Sequence, residues 1–176
     1  WKWSKYIEWK ENLLTETINI ISPNTIVKNF KIASIYSRRR AKIFVKKNCS
    51  NLLIGFKGYK SNKLINIDEC LILEPKIMYC IKEIKKPLNN ILQNGDDIDV
   101  NINLLSDGLD ILLNFKKNYD FFKLNFFPSF QNIRYLSRLS FQYKENKPEL
   151  LCQFNSGKLE LQDNKTFILP PPGGFF

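Results

Sequence analysis

The strongest constraint on the fold is a stretch of strict two-residue alternation in the middle of the chain. Residues 98–104 place Ile, Val, Ile and Leu at every second position, with Asp or Asn between them. A period of two is typical of a strand with one buried and one solvated face. Asp107-Gly108 follows and predicts a tight turn, and residues 109–115 alternate in the same way. The chain is therefore expected to contain an antiparallel hairpin.

Periodic signals on both sides of this hairpin predict two helices and further strands. Apolar residues at three- and four-residue spacing predict an amphipathic helix over residues 5–21 and another from about Pro75 to Leu92. Pro87 has no amide hydrogen, so it is expected to kink the second helix or to begin a new one. Short β-rich segments occur at residues 41–45, 52–57, 64–67, 134–142, 149–154, 158–161 and 166–169.

Together these elements indicate one α+β domain, with helices packed on one face of a largely antiparallel sheet. A chain of 176 residues can build one compact core and is too short for two large domains. Residues 118–131 are rich in aromatic side chains and are expected to be helical or irregular. Phe122, Phe126 and Phe130 recur there every four residues, a spacing that favours a place in the core over base stacking.

The composition excludes several classes of chemistry. There is no histidine, which removes the commonest general base and metal ligand. The four cysteines show no CxxC spacing, so the sequence predicts neither a zinc site nor a thioredoxin-like motif. No apolar run approaches the roughly 18 residues that a membrane span requires, and no signal peptide is evident. The expectation is a cytoplasmic, monomeric protein with no membrane partner.

The positive charge is concentrated in the first half of the chain. The formal net charge is +10, and residues 1–86 hold 18 lysines and arginines against 7 acids. Residues 87–176 hold 9 against 10. This asymmetry is expected of a surface that faces a polyanion. The abundance of Lys, Asn and Ile is also what an AT-rich genome produces, so the lysine count alone indicates little.

Three consecutive arginines, Arg38-Arg39-Arg40, lead into the first predicted strand. Guanidinium groups suit phosphate oxygens, and each phosphate that they neutralise releases counterions. A solvated basic edge that discourages aggregation is the alternative interpretation, and the spacing leaves both open. Tyr36 and Tyr59 flank this region and are candidates for base stacking. The other candidate RNA-binding residues in the same stretch are Lys42, Lys57, Lys60 and Lys63.

Two further strings are distinctive. Gly55-Phe56 is followed by the string Ile65-Asn66-Ile67-Asp68-Glu69, then by Cys70, a short apolar run and a helix. The C-terminal string, residues 170–176, reads Pro-Pro-Pro-Gly-Gly-Phe-Phe. By themselves these strings favour a buried thiol and an extended or disordered end.

In their order and spacing, these motifs resemble those of the RNA (uracil-5-)-methyltransferases. These enzymes methylate carbon 5 of uridine in ribosomal or transfer RNA with S-adenosylmethionine. The resemblance implies that Arg38 and Arg40 enter an RNA-contacting strand. It implies that Phe175 and Phe176 border the pocket for the target base. It also implies that Cys70 is the last of four ligands to an iron–sulfur cluster, of which the other three, from an upstream cysteine-rich motif, are absent here.

The resemblance implies a fragment of the enzyme. Residues 1–22 would be the helix after the cysteine-rich motif, residues 23–169 the central RNA-binding domain, and residues 170–176 the start of the link to a Rossmann-like catalytic domain. The catalytic cysteine, the general base and the cofactor loop would all be missing, so the chain would be inactive alone. The alternatives are a stand-alone RNA-binding or ribosome-associated module without catalysis, and a truncated gene product without function.

Overall fold

The computed structural model describes residues 2–28, 30–49, 51–61, 63–119, 127–160 and 167–174, with Phe127 and Phe167 as backbone only. The chain forms two compact units, Trp1–Ser34 and Ile35–Phe176. The first contains helix α1, Trp3–Ile21, which confirms the predicted helix. None of its described side chains is buried, and Trp9, Leu13 and Ile20 are among its exposed apolar residues. No helix in the described part of the chain has both the length and the apolar character that a membrane span requires.

The second unit is built on a seven-stranded sheet. Its strands lie in the order β3-β2-β1-β4-β5-β6-β7. They are β1 Arg40–Asn48, β2 Asn51–Lys57, β3 Leu64–Asn66, β4 Asp97–Leu104, β5 Leu109–Phe115, β6 Leu136–Tyr143 and β7 Glu149–Gln153. A two-stranded sheet, β8 Leu159–Glu160 with β9 Phe167–Ile168, stands apart from it. The predicted hairpin is present as β4 and β5, and the predicted segments at residues 41–45, 52–57 and 64–67 form the adjacent strands β1, β2 and β3.

All neighbouring strands of the large sheet are antiparallel except β5 and β6. A parallel pair needs a crossover of a dozen or more residues, and residues 116–135 supply it. Within that connection the structure describes a 3-10 turn, Phe127–Ser129, and a fully buried Phe130. Phe122 and Phe126, which the sequence predicted in the core, lie outside the described residues. The prediction of an α+β fold with a largely antiparallel sheet is confirmed.

Helix α2, Pro75–Ile91, packs on one face of this sheet. Pro75 begins the helix and the Glu74 carboxylate caps it by accepting from the Lys76 amide at 2.7 Å. The expectation that Pro87 begins a new helix was wrong, because α2 continues through it and buries its ring. The core between helix and sheet is apolar, and its buried residues include Ile43, Ile77, Ile84, Leu88, Val100 and Ile111.

The opposite face of the sheet is polar, and we call it the polar face. Along β4 the Asp and Asn residues lie there, while the alternating Ile and Val residues are buried under α2. Asn103 was predicted to be solvated but is buried, because its side chain lies beside the Asp110 carboxylate, to which the Gly173 amide also donates. The pairing registers place Lys42 of β1, Asn101 of β4 and Leu112 of β5 side by side on this face. Most of the charged candidates from the sequence therefore lie on the polar face or at its edges.

Candidate nucleic-acid interface

The three arginines occupy a well-anchored segment that leads into β1. The Arg38 amide donates to the Ile72 carbonyl at 2.9 Å, and the Arg38 carbonyl accepts from the Glu74 amide at 3.0 Å. The Arg39 carbonyl accepts from the Leu104 amide at 2.8 Å. All three arginines are exposed, and Arg38 also donates through Nε to the Arg40 carbonyl at 3.1 Å. The backbone is thus held by neighbours on two sides, while the guanidinium groups face solvent.

Two of the predicted lysines lie on the polar face around one aromatic ring. The Lys57 ammonium lies 4.2 Å from the centre of the Phe44 ring, and the Lys42 ammonium lies 5.7 Å from it. Lys42 also forms an ion pair with Asp99 at 3.0 Å. Asp99 therefore neutralises part of the positive charge at this point. Lys57 contributes a charge that the ring holds in place.

Tyr59, Lys60 and Lys63 form the turn between β2 and β3. Tyr59 is 88% exposed, and the Lys60 ammonium lies 5.3 Å from the centre of its ring. The Gly58 amide donates to the Lys63 carbonyl at 2.9 Å and closes the turn. An exposed aromatic ring beside an ammonium group is suited to an unpaired base and its phosphate.

The structure divides the predicted basic residues into two exposed groups. One is the arginine segment, Arg38–Arg40, and the other is the β2–β3 turn, with Lys42 and Lys57 on the polar face between them. Lys47 belongs to neither group, because it faces α2 and donates to the carbonyl and the side-chain oxygen of Asn89. This orientation follows the alternation of β1, which places Ile43, Val45 and Lys47 on the face that packs against α2.

Cys70 is half-buried and lines a cavity of about 220 Å³ beside α2. The other lining residues are Tyr36, Asp68, Glu69, Leu71, Leu73, Pro75, Met78, Tyr79 and Lys82. Tyr79 and Lys82 were not predicted from the sequence, because their place beside Cys70 depends on how α2 packs against the segment that contains Cys70. Among the described residues, no three Cys, Asp or Glu side chains are placed to hold a metal ion. The described residues therefore do not fit an iron–sulfur cluster, which takes four protein ligands.

The C-terminal segment, residues 167–174, is fixed to the polar face by a buried ion pair. Arg138 Nε contacts Asp110 Oδ1 at 2.7 Å, and the Asp110 side chain is wholly buried. Arg138 Nη2 donates to the Pro170 carbonyl at 2.9 Å, and the Gly173 amide donates to Asp110 Oδ2 at 2.9 Å. The predicted base-pocket residues, Phe175 and Phe176, lie outside the described residues.

Gly173 is required at its position in this segment. Its φ of +71° lies in the left-handed region, and a Cβ there would come within 2.3 Å of the Leu112 side chain. Only glycine allows the backbone to approach the sheet so closely.

Two other carboxylates organise loops around the sheet. Asp107 accepts hydrogen bonds from the Ser137 and Ser156 hydroxyls and from the Gly157 and Lys158 amides. Burial alone would raise the pKa of Asp107, but these hydrogen bonds outweigh it and hold the pKa below its usual range. The pKa of Asp96 is lowered in the same way, with burial opposed by hydrogen bonds from Lys117, Tyr119 and the Gln93 amide. Both carboxylates are satisfied by structural donors.

The thiols do not form a reactive centre in the described structure. Burial raises the pKa of Cys80 far above its usual range, and burial also raises the pKa of Cys152. Cys49 is exposed, contrary to the general expectation of buried thiols, and has a positive φ of 46°. Its amide donates to the side-chain oxygen of Asn94 at 2.7 Å, which fixes the turn after β1.

Comparison with solved structures shows a likeness in fold, whereas the comparisons by sequence found nothing. No protein-family model matches the sequence. No curated protein matches it either. The fold is similar to that of the Pyrococcus abyssi tRNA (uracil-54, C5)-methyltransferase, solved in complex with S-adenosyl-L-homocysteine, with a TM-score of 0.71 and 13% identity. The match covers 97% of this chain but 44% of that protein, so the chain spans less than half of its length. The chain therefore has the α+β fold found in part of a tRNA methyltransferase.

Proposed function

We propose that this chain is the RNA-binding central domain of an S-adenosylmethionine-dependent RNA (uracil-5-)-methyltransferase. The observation that carries the proposal is the similarity of fold over 97% of the chain to a tRNA (uracil-54, C5)-methyltransferase. The ordered motifs in the sequence support it independently, since they were identified from residues alone. The substrate is a ribosomal or transfer RNA, and the protein acts as a monomer in the cytoplasm.

The arginine segment and the β2–β3 turn grip the RNA backbone. Arg38, Arg39 and Arg40 are exposed on an anchored backbone. Little backbone conformational entropy is therefore lost when their guanidinium groups bind phosphates. Lys42, Lys57, Lys60 and Lys63 extend this surface, and Tyr59 stacks on an unpaired base. Such contacts position the RNA without reading its sequence.

Catalysis belongs to residues beyond this chain, and the chain alone is inactive. S-Adenosylmethionine supplies the methyl group in such enzymes. The Cys70 cavity, at about 220 Å³, is smaller than the roughly 300–1,000 Å³ of pockets that enclose a ligand of that size. This cavity therefore does not fit the cofactor. The role of residues 170–174 is to fix the direction in which the chain leaves the sheet, so that Phe175 and Phe176 reach the target base.

RNA affinity of the chain and of a triple variant tests the RNA-binding role. Arg38→Gln, Arg39→Gln and Arg40→Gln together should weaken binding to a structured RNA about 10-fold or more at low salt, because three phosphate contacts are lost. The matched control replaces three exposed lysines at the other end of the sheet, Lys116, Lys144 and Lys147, with glutamine. Equal losses in the two triple variants would contradict the placement of the RNA surface.

The methyltransferase assignment is tested separately, by sequencing the coding DNA outward from both ends of this chain. We expect a Cys-Gly-Gly-Cys type motif upstream, and downstream a glutamine followed by a glycine-rich loop. Cys70 would then have three candidate partners for an iron–sulfur cluster. Stop codons directly after Phe176 would instead favour a stand-alone RNA-binding module.

A further inference from the structure

The Cys70 cavity has a wall of two tyrosine rings contributed by different parts of the chain. Tyr36 precedes the arginine segment, has a φ of +57°, and is held by its amide donating to the Leu71 carbonyl at 2.9 Å. Tyr79 lies on the first half of α2. The exposed fractions of the two side chains are 42% and 53%, so both rings are half open to solvent. Unpaired bases in RNA-binding proteins are commonly held by aromatic rings that are open in this way.

The size of the cavity fits one ring system. Its volume of about 220 Å³ is below the roughly 300–1,000 Å³ that a drug-sized ligand or cofactor occupies. The floor is apolar where Leu73 and Met78 contribute to it. A flat heteroaromatic group can cover this apolar floor and still present polar atoms at its edge.

Two carboxylates supply hydrogen-bond acceptors at the cavity. Asp68 and Glu69 line it, and Asp68 is engaged by an amide hydrogen from Asn66 at 3.3 Å. A carboxylate accepts hydrogen bonds from exocyclic amino groups of bases. Adenine, cytosine and guanine carry such a group. Uracil has one imide N–H between two carbonyl oxygens, which two carboxylates would repel.

Positive charge lies on two sides of the cavity. On one side, the Arg38 amide bonds to the Ile72 carbonyl, so the arginine segment adjoins the cavity wall. On the other side, Lys82 lines the cavity and also lines a neighbouring groove of about 610 Å³ that contains Lys85 and Lys86. These three lysines make no ion pair with a described acidic residue. Phosphates before and after a base in the cavity would therefore both meet cations.

We propose that this cavity binds one unpaired nucleobase of the RNA and prefers a base with an exocyclic amino group. The inference rests on the proposed function, because it requires that the chain bind RNA. It adds a second base site whose preference is opposite to that expected for a target uridine. Tyr36 and Tyr79 hold the faces of the base, Asp68 and Glu69 accept from its amino group, and Lys82 contacts its phosphate.

The test uses the 176-residue chain and oligouridylates of about 12 nucleotides, a length within the site size of single-strand binders. One central uridine is left unchanged or replaced by A, C or G, and affinity is measured by fluorescence anisotropy at fixed salt. Strands with a central A, C or G should bind about 5-fold tighter or more, which corresponds to the stacking and pairing of one base. Tyr36→Asn and Tyr79→Ala should each remove this advantage.

Matched variants separate stacking from unfolding. Tyr135 is 50% exposed and has a φ of +61°, close to the values for Tyr36, but does not line the cavity. Tyr135→Asn should therefore keep the preference. The double variant Asp68→Asn with Glu69→Gln leaves both tyrosine rings in place. It should bind the four oligonucleotides with equal affinity.

The outcomes distinguish the two proposals. Arginine-dependent binding with equal affinity for all four strands would overturn the base site and leave the proposed function standing. Absence of RNA binding would overturn both. Loss of the preference in Tyr135→Asn as well as in Tyr36→Asn would also overturn the site, because the effect would not depend on the cavity.

Discussion

At the residue scale, the Asp110 carboxylate connects three parts of the second unit. It pairs with Arg138 of β6, lies 3.4 Å from the Asn103 amide nitrogen of β4, and accepts from the Gly173 amide of the C-terminal segment. Arg138 in turn donates to the Pro170 carbonyl. A buried charge pair is stable only when its remaining hydrogen-bonding groups are also satisfied, and the C-terminal segment supplies two of those partners. The pair thus links the sheet to the chain that leaves it.

Removing this carboxylate should destabilise the fold strongly. We expect Asp110→Ala to lower the free energy of unfolding by about 3–5 kcal/mol, because the Arg138 guanidinium would be left buried without its partner. Urea denaturation measures the change. The control is Asp99→Ala, which breaks the half-exposed pair with Lys42 and should cost under about 1 kcal/mol. Similar losses for the two variants would show that Asp110 is not the anchor of the C-terminal segment.

The lowered pKa values of Asp96 and Asp107 predict an acid-sensitive fold. A carboxylate with a lowered pKa in the folded state stabilises it fully above the unfolded pKa of about 4. That contribution is lost as the pH falls through the folded pKa. The free energy of unfolding should therefore fall as the pH drops below about 4, and Asp107→Asn should make the fall shallower. An unchanged pH profile in the variant would contradict the role of Asp107.

At the element scale, the sequence pattern predicted those features of helices and strands that depend on residues close together in sequence. The alternation over residues 98–104 predicted the two faces of β4, and the three-arginine string was correctly placed at the entrance to β1. The parallel pairing of β5 with β6 was not predicted, because it depends on how a 20-residue connection crosses the sheet. Tyr79 and Lys82 were missed because the cavity forms only when the segment around Cys70 folds against α2 and Tyr36. Pro87 was expected to kink α2 or to begin a new helix, and the second alternative was wrong, because α2 continues through Pro87 with its ring buried in the core.

The two helices should contribute very differently to stability. Ile84 of α2 is fully buried, and Ile84→Ala should cost about 2–5 kcal/mol through lost burial and the cavity left behind. Leu13 of α1 is 44% exposed, so Leu13→Ala should change the free energy of unfolding by under about 0.5 kcal/mol. Thermal and urea unfolding measure both. A cost for Leu13→Ala as large as that for Ile84→Ala would mean that α1 is packed in solution.

At the scale of the whole molecule, the distribution of charge and the fold both agree with the proposed RNA-binding role. The excess of cations lies in residues 1–86, and in the second unit it is exposed at the arginine segment, the β2–β3 turn and α2. The acids of β4 lie on the polar face, where Asp99 pairs with Lys42 and Asp97 with Lys116. The positive potential is therefore strongest away from those pairs. A solved structure with a similar fold, that of the Pyrococcus abyssi tRNA methyltransferase, is of a protein more than twice as long as this chain.

The salt dependence of RNA binding tests the central claim most directly. For single-stranded RNA the logarithm of the affinity should fall linearly with the logarithm of the salt concentration, by about 0.7 for each phosphate neutralised. Replacing Arg38, Arg39 and Arg40 with glutamine should reduce that slope by about 2, while the Lys116, Lys144 and Lys147 control should leave it nearly unchanged. A slope that is the same for the wild-type chain and the arginine variant would contradict the account, because RNA would then be held elsewhere.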